Sequence, residues 1–76
     1  MAAVVGIDVV KLDDRARELL ACLRQRASQF GAEVGDLVGN RVEVYARNLD
    51  SGPEARAFVR DQLTRCGDDW ELYLSV

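Results

Sequence analysis

Ala32-Glu33-Val34-Gly35-Asp36-Leu37-Val38-Gly39-Asn40-Arg41-Val42-Glu43-Val44-Tyr45-Ala46-Arg47 is the stretch that decides the fold. Its second arm alternates Val42, Val44 and Ala46 with Arg41, Glu43, Tyr45 and Arg47, the period of a strand with one buried face. Gly39-Asn40 supplies a two-residue hairpin turn, because both residues tolerate positive φ. The first arm places Asp36 between Val34 and Val38, a charge that suits an edge strand. If residues 32–38 pair, the sheet has four strands; if they form a loop, it has three.

Upstream, Val4, Val5, Ile7, Val9 and Val10 form a β-branched run too short for a buried helix, which predicts a strand over residues 3–10. Asp13 and Asp14 then open a helix whose stripe is Ala16, Leu19, Leu20, Leu23, Ala27 and Phe30, with Gly31 at its C′ position. Downstream, Asn48 to Pro53 is a turn cluster. Ser51 with Glu54 has capping-box spacing, and Ala55, Phe58, Val59, Leu63 and Cys66 make a second helical stripe that Gly67 ends. Trp70, Leu72, Leu74 and Val76 alternate with Glu71, Tyr73 and Ser75, which predicts a last strand over residues 70–76. The order β-α-β-β-α-β is the split βαβ, ferredoxin-like α+β arrangement, with a four-stranded antiparallel sheet and two helices on one face. The chain reads as a single domain over residues 1–76.

Composition excludes several kinds of chemistry. The 76 residues contain no histidine, which removes the commonest general base and the commonest neutral metal ligand. Thirteen acidic against ten basic residues leave a net charge of -3, a poor match to an extended phosphate backbone. No GxGxxG or GxxxxGK[ST] motif is present, and no serine has a histidine to activate it. Cys22 and Cys66 form no CxxC pair and read as small buried hydrophobes beside or on the helical stripes. The apolar start MAAVVGIDVV has no basic n-region and is interrupted by Asp8, unlike a secretory leader. A cytoplasmic location follows as the expectation, and there the two thiols stay reduced.

In a ferredoxin-like sheet the first strand lies between the third and the fourth, and one face has no helices. If Val42, Val44, Leu72 and Leu74 face the helices, then Tyr45, Tyr73, Arg41, Arg47, Glu43, Glu71 and Ser75 face outward. With Val5, Ile7 and Val9 inward, Val4, Gly6, Asp8 and Val10 join that open face. Two tyrosines flanking a partly apolar centre, with a charged rim, suit a protein interface. The plain alternative is a solvated face whose tyrosines simply fit a pleated surface. The RNA recognition motif shares this order of elements, but here the third strand carries a single aromatic residue and the first none, so nucleic acid is not the expected partner. A catalytic reading would need Asp8 to approach Asp13 or Asp14 as an oxygen-rich Mg²⁺ corner; otherwise the latter two are helix caps.

The stretch IDVVKLDDRARELLACLRQRASQFGAEV resembles the first strand, helix and second strand of ACT-type regulatory domains, and RVEVYARNLDSGPEARAFVRDQL is compatible with their third strand and second helix. That resemblance implies a ferredoxin-like module that binds a small effector such as an amino acid and pairs through sheets or helices. The turn Lys11-Leu12-Asp13-Asp14 lacks the glycine usual in that family. Asp8 followed by DDRARELL is also similar to the small CRISPR-associated integration subunit, a dimeric ferredoxin-like protein with an aspartate ending its first strand. The spacing after Asp8 is longer here, and no metal site is carried over from it.

Taken together, the residues predict a non-enzymatic binding, assembly or regulatory module, homodimeric through the open sheet face or an edge strand. No catalytic residue and no cofactor is assigned. The partner is a second copy or another protein, with a small-molecule effector as a further option and no membrane. Two alternatives stand beside this: a partner-directed inhibitor or adaptor of mobile-element type, and a Mg²⁺-dependent nuclease-like protein using Asp8.

Overall fold

The computed structural model describes residues 3–76. Strand β1 (Ala3–Val9), whose valine-rich run leaves its facing ambiguous in sequence, buries Ala3, Val5, Ile7 and Val9 and leaves the intervening residues outward. Helix α1 (Asp14–Gln29) starts where the Asp13 carboxylate accepts the Ala16 N–H at 3.0 Å. It ends at Gly31, whose φ of +78° is the left-handed conformation that a side chain disfavours. Strand β2 (Ala32–Val34) and strand β3 (Arg41–Ala46) form the hairpin. Its tip has positive φ at Gly39 (+63°) and not at Asn40, the pattern of a type II′ turn closed by a Val38–Arg41 bridge. Helix α2 (Gly52–Cys66) begins where the Ser51 hydroxyl accepts the Glu54 N–H at 3.1 Å.

A short 3₁₀ turn (Trp70–Leu72) and strand β4 (Leu74–Ser75) complete the chain. The sheet is antiparallel in the order β2-β3-β1-β4, which makes this an α+β fold with a strand order compatible with the ferredoxin-like arrangement. Four strands therefore form, although β2 pairs only through Val34 before the chain loops out. In that loop Gly35 donates its N–H to the Glu43 carbonyl at 2.8 Å, and Arg24 Nη2 donates to the Gly35 carbonyl at 2.9 Å. The core lies between the sheet and the helices. Leu19, Leu23 and Leu63 from the helices meet Ile7, Val42 and Val44 from the strands, all essentially inaccessible. Burial of each such side chain contributes about 1.5–3 kcal/mol.

Three expectations need correcting. A strand over residues 70–76 does not form; only Leu74 and Ser75 pair, against Val9 and Asp8. Residues 67–73 instead close successive turns, with Trp70 N–H donating to Gly67, Leu72 N–H to Asp69 and Tyr73 N–H to Trp70 carbonyls. The reason lies in packing against α2. This turn buries the Trp70 ring against α2 while its indole N–H donates to Thr64 Oγ1 at 3.1 Å, which satisfies both halves of an amphipathic side chain. Leu72, expected inward, is consequently 69% exposed.

The second correction concerns the thiols. Cys22 and Cys66 are joined as a disulfide between α1 and α2, with their Cα atoms 6.0 Å apart, so neither is a free thiol. Third, Phe30 is not a core residue at the end of its stripe: it is 52% exposed, lying past the last turn of α1 and edge-on to Phe58 at 5.6 Å between ring centroids.

Candidate functional site: the open sheet face

Register fixes which side chains meet on the helix-free face. Across β1 and β3, Val4 lies opposite Tyr45, Gly6 opposite Glu43 and Asp8 opposite Arg41. Across β2 and β3, Glu33 lies opposite Tyr45. Ser75 of β4 stands opposite Asp8 at the other edge. The apolar centre is thus the cross-strand pair Val4–Tyr45, 49% and 39% exposed.

Charges around this centre are paired in the plane of the sheet. Arg41 Nη1 lies 3.5 Å from Asp8 Oδ1, and Arg47 Nη2 lies 3.5 Å from Glu33 Oε2. Both pairs are more than half exposed, and such pairs contribute about 0–1 kcal/mol. Arg41 lies directly over Gly6, where any Cβ would collide with its guanidinium.

Of the seven residues expected outward on β3 and the last strand, Arg41, Glu43, Tyr45 and Ser75 are there, and Arg47 reaches it through Glu33. Glu71 and Tyr73 are not. Glu71 sits in the 3₁₀ turn, and Tyr73 follows that turn half-buried against the core, with Lys11 Nζ 5.8 Å from its ring centroid. The collapse of the last strand into a turn removes both. Sequence reading also missed Glu33 as the partner of Arg47; its alternation within AEV was visible, but only the hairpin register makes the pair.

Asp8, the metal candidate, faces Arg41, while Asp13 caps α1 and Asp14 lies 3.7 Å from Arg17 Nη1. These carboxylates are not brought together, and among the described residues no group of three or more His, Cys, Asp or Glu could hold a metal ion. No helix among them is long and apolar enough to cross a membrane.

Two further features stand beside this face. A cleft of about 240 Å³ is lined by the apolar Phe30, Phe58, Leu49, Ala32 and Ala46 together with Arg47 and Asn48. At the turn before β4, Arg15 grips Asp69 through two hydrogen bonds, Nε to Oδ2 at 3.0 Å and Nη2 to Oδ1 at 2.7 Å. Those bonds hold the Asp69 carboxyl below the usual carboxylate range and raise the Arg15 guanidinium above its own.

No family model matches this chain, and neither the curated proteins nor the solved structures yield a match.

Proposed function

We propose that this domain is a non-enzymatic assembly module that pairs with a second copy of itself through the open sheet face. The observation that carries the reading is the Val4–Tyr45 pair set between two acid–arginine pairs on a face without helices. A two-fold interface brings one patch onto itself, so the patch must be self-complementary. This one carries both signs: Arg41 and Arg47 against Asp8, Glu33 and Glu43. Rotation about an axis near Tyr45 lets the arginines of one copy meet the carboxylates of the other, while the tyrosine rings bury the apolar centre. An aromatic side chain contributes about 150–250 Å² of buried area to such a contact.

Light scattering over a dilution series tests this. The wild-type chain is expected at twice its 8.4 kDa mass, and the Tyr45→Glu variant at 8.4 kDa with unchanged far-ultraviolet circular dichroism. A wild-type chain that stays monomeric throughout, or a dimer indifferent to Tyr45→Glu, overturns the reading. Tyr73 is left intact in this test because its half-buried ring supports the fold.

A second reading is favoured by the Phe30–Phe58 cleft, whose mainly apolar lining with Arg47 and Asn48 suits a small amphipathic effector.

A further inference from the structure

Strand β2 is an edge of the sheet, and the bonding of β3 settles which of its backbone groups are spare. The Val9 N–H donates to the Asn40 carbonyl, so even-numbered residues of β3 bond toward β1. The Gly35 N–H donates to the Glu43 carbonyl, so odd-numbered residues of β3 bond toward β2. In that register Glu33 is bonded to Tyr45, while Ala32 and Val34 stand in the non-bonded positions. The N–H and C=O groups of Ala32 and Val34 therefore point away from β3, and no hydrogen bond meets them among the described residues. Asp36, the charge expected to guard this edge, lies beyond Val34, where β2 has already ended. An unpaired row of this kind is a template for another strand.

A cleft of about 270 Å³ lies along this edge, and its lining includes Ala32, Val34 and Gly35 together with Arg24 and Ser28 of α1. One hydrogen bond places the Arg24 guanidinium here: its Nη2 donates to the Gly35 carbonyl at 2.9 Å. Arg24 is exposed and has no acidic partner among the described residues, so most of its five N–H donors stay available. Val34 turns its side chain inward, against the core and so toward the helices. An incoming residue opposite Val34 points to that same side, where Arg24 stands.

We propose that the β2 edge accepts a short extended segment of a partner protein as a fifth, antiparallel strand, with an acidic residue opposite Val34. That residue and the one opposite Ala32 exchange backbone hydrogen bonds with β2, and the carboxylate meets the Arg24 guanidinium. A second copy is the poorer occupant. The register in which Ala32 and Val34 of one copy bond Val34 and Ala32 of the other sets two Glu33 side chains directly opposite, as like charges. It also brings Ala32, and no carboxylate, to the position opposite Val34.

The test uses the full chain, ¹⁵N-labelled. Three capped pentapeptides are titrated: Thr-Glu-Thr-Val-Thr, the same peptide with lysine in place of glutamate, and the glutamate peptide N-methylated at its glutamate and valine. The glutamate peptide is expected to shift the Ala32 and Val34 amides and to slow their hydrogen exchange. It should bind roughly threefold or more tightly than the lysine peptide, and N-methylation should weaken it about tenfold or more. Arg24→Gln removes the charge but keeps a donor for the Gly35 carbonyl, and should erase the preference for glutamate. Val4→Glu charges the centre of the open face away from β2, and should leave binding unchanged. Unmoved Ala32 and Val34 amides at millimolar glutamate peptide, full binding of the N-methylated peptide, or an unchanged preference in Arg24→Gln would each overturn the proposal. Binding lost in Val4→Glu would also overturn it, because the peptide would then sit on the open face.

Discussion

The Arg41 guanidinium lies across Gly6, so close that a methyl group placed on Gly6 would fall 2.8 Å from Arg41 Cζ. Glycine in the middle of a strand weakens it, and here it gives an arginine a flat seat on the sheet beside Asp8. Gly6→Ala is therefore expected to be close to neutral for stability. Arg41 swings into solvent and gives up an exposed ion pair contributing at most about 1 kcal/mol, while the strand recovers roughly 0.5–1 kcal/mol by losing its glycine. Urea unfolding should give a difference below about 1 kcal/mol. The same variant should weaken self-association, because Arg41 no longer lies in the face. A larger loss of stability would mean that Arg41 is not free to move.

The Cys22–Cys66 disulfide closes a loop over a sequence separation of 44. On the chain-entropy account, a cross-link of that span stabilises by about 4 kcal/mol, and loss of a native disulfide from a small domain costs about 2–5 kcal/mol. A chain of this size buries only about 60% of its unfolded surface and has little stability to spare. Reduction, or the paired change Cys22→Ala with Cys66→Ala, should therefore lower the urea midpoint sharply and bring the unfolding transition near ambient temperature. A midpoint within error of the oxidised protein would show that α1 and α2 hold together by packing alone.

The parts of this fold legible in the sequence are those fixed by local chemistry. Asp13, Ser51 and Gly31 act within one turn of themselves, so their roles as caps follow from spacing. The clean alternation of β3 assigns Tyr45 to the outward face. Strand β1, with valine at both Val4 and Val5, is ambiguous in sequence, and its facing is fixed by the register that sets Val4 opposite Tyr45. What could not be read depends on distant partners. Trp70 and Leu72 have strand spacing, but the Trp70 indole found Thr64 on α2 and drew the chain into a turn, taking Glu71 and Tyr73 off the candidate face. Cys22 and Cys66 become neighbours only when both helices lie on the same side of the sheet, a tertiary fact with no trace in their spacing. Gly6 looks like a flaw in a valine run until register places Arg41 above it.

Arg15 and Asp69 tie the start of α1 to the turn before β4, and their bond makes stability depend on pH with a definite sign. Hydrogen bonding from Arg15 lowers the Asp69 pKa in the folded chain relative to the unfolded one, whose carboxyl titrates near its ordinary value of about 3.9. A carboxylate depressed in this way contributes its stabilisation in full above the unfolded value and loses it as pH falls through the folded value. Asp69→Asn should accordingly be less stable than wild type at pH 7, and the gap should close as pH falls through the lowered folded value and the wild-type carboxyl takes up its proton. Gly67→Ala should reproduce part of the loss, because a Cβ there falls 2.8 Å from Asp69 Oδ1 and crowds the Arg15 guanidinium. Both variants should also raise the fluorescence sensitivity of Trp70 to quencher, since this turn holds the ring against α2. Urea midpoints measured at pH 7 and near pH 2.5 separate the cases: a gap of equal size at both would mean that packing at the turn, rather than the charged pair, accounts for the effect.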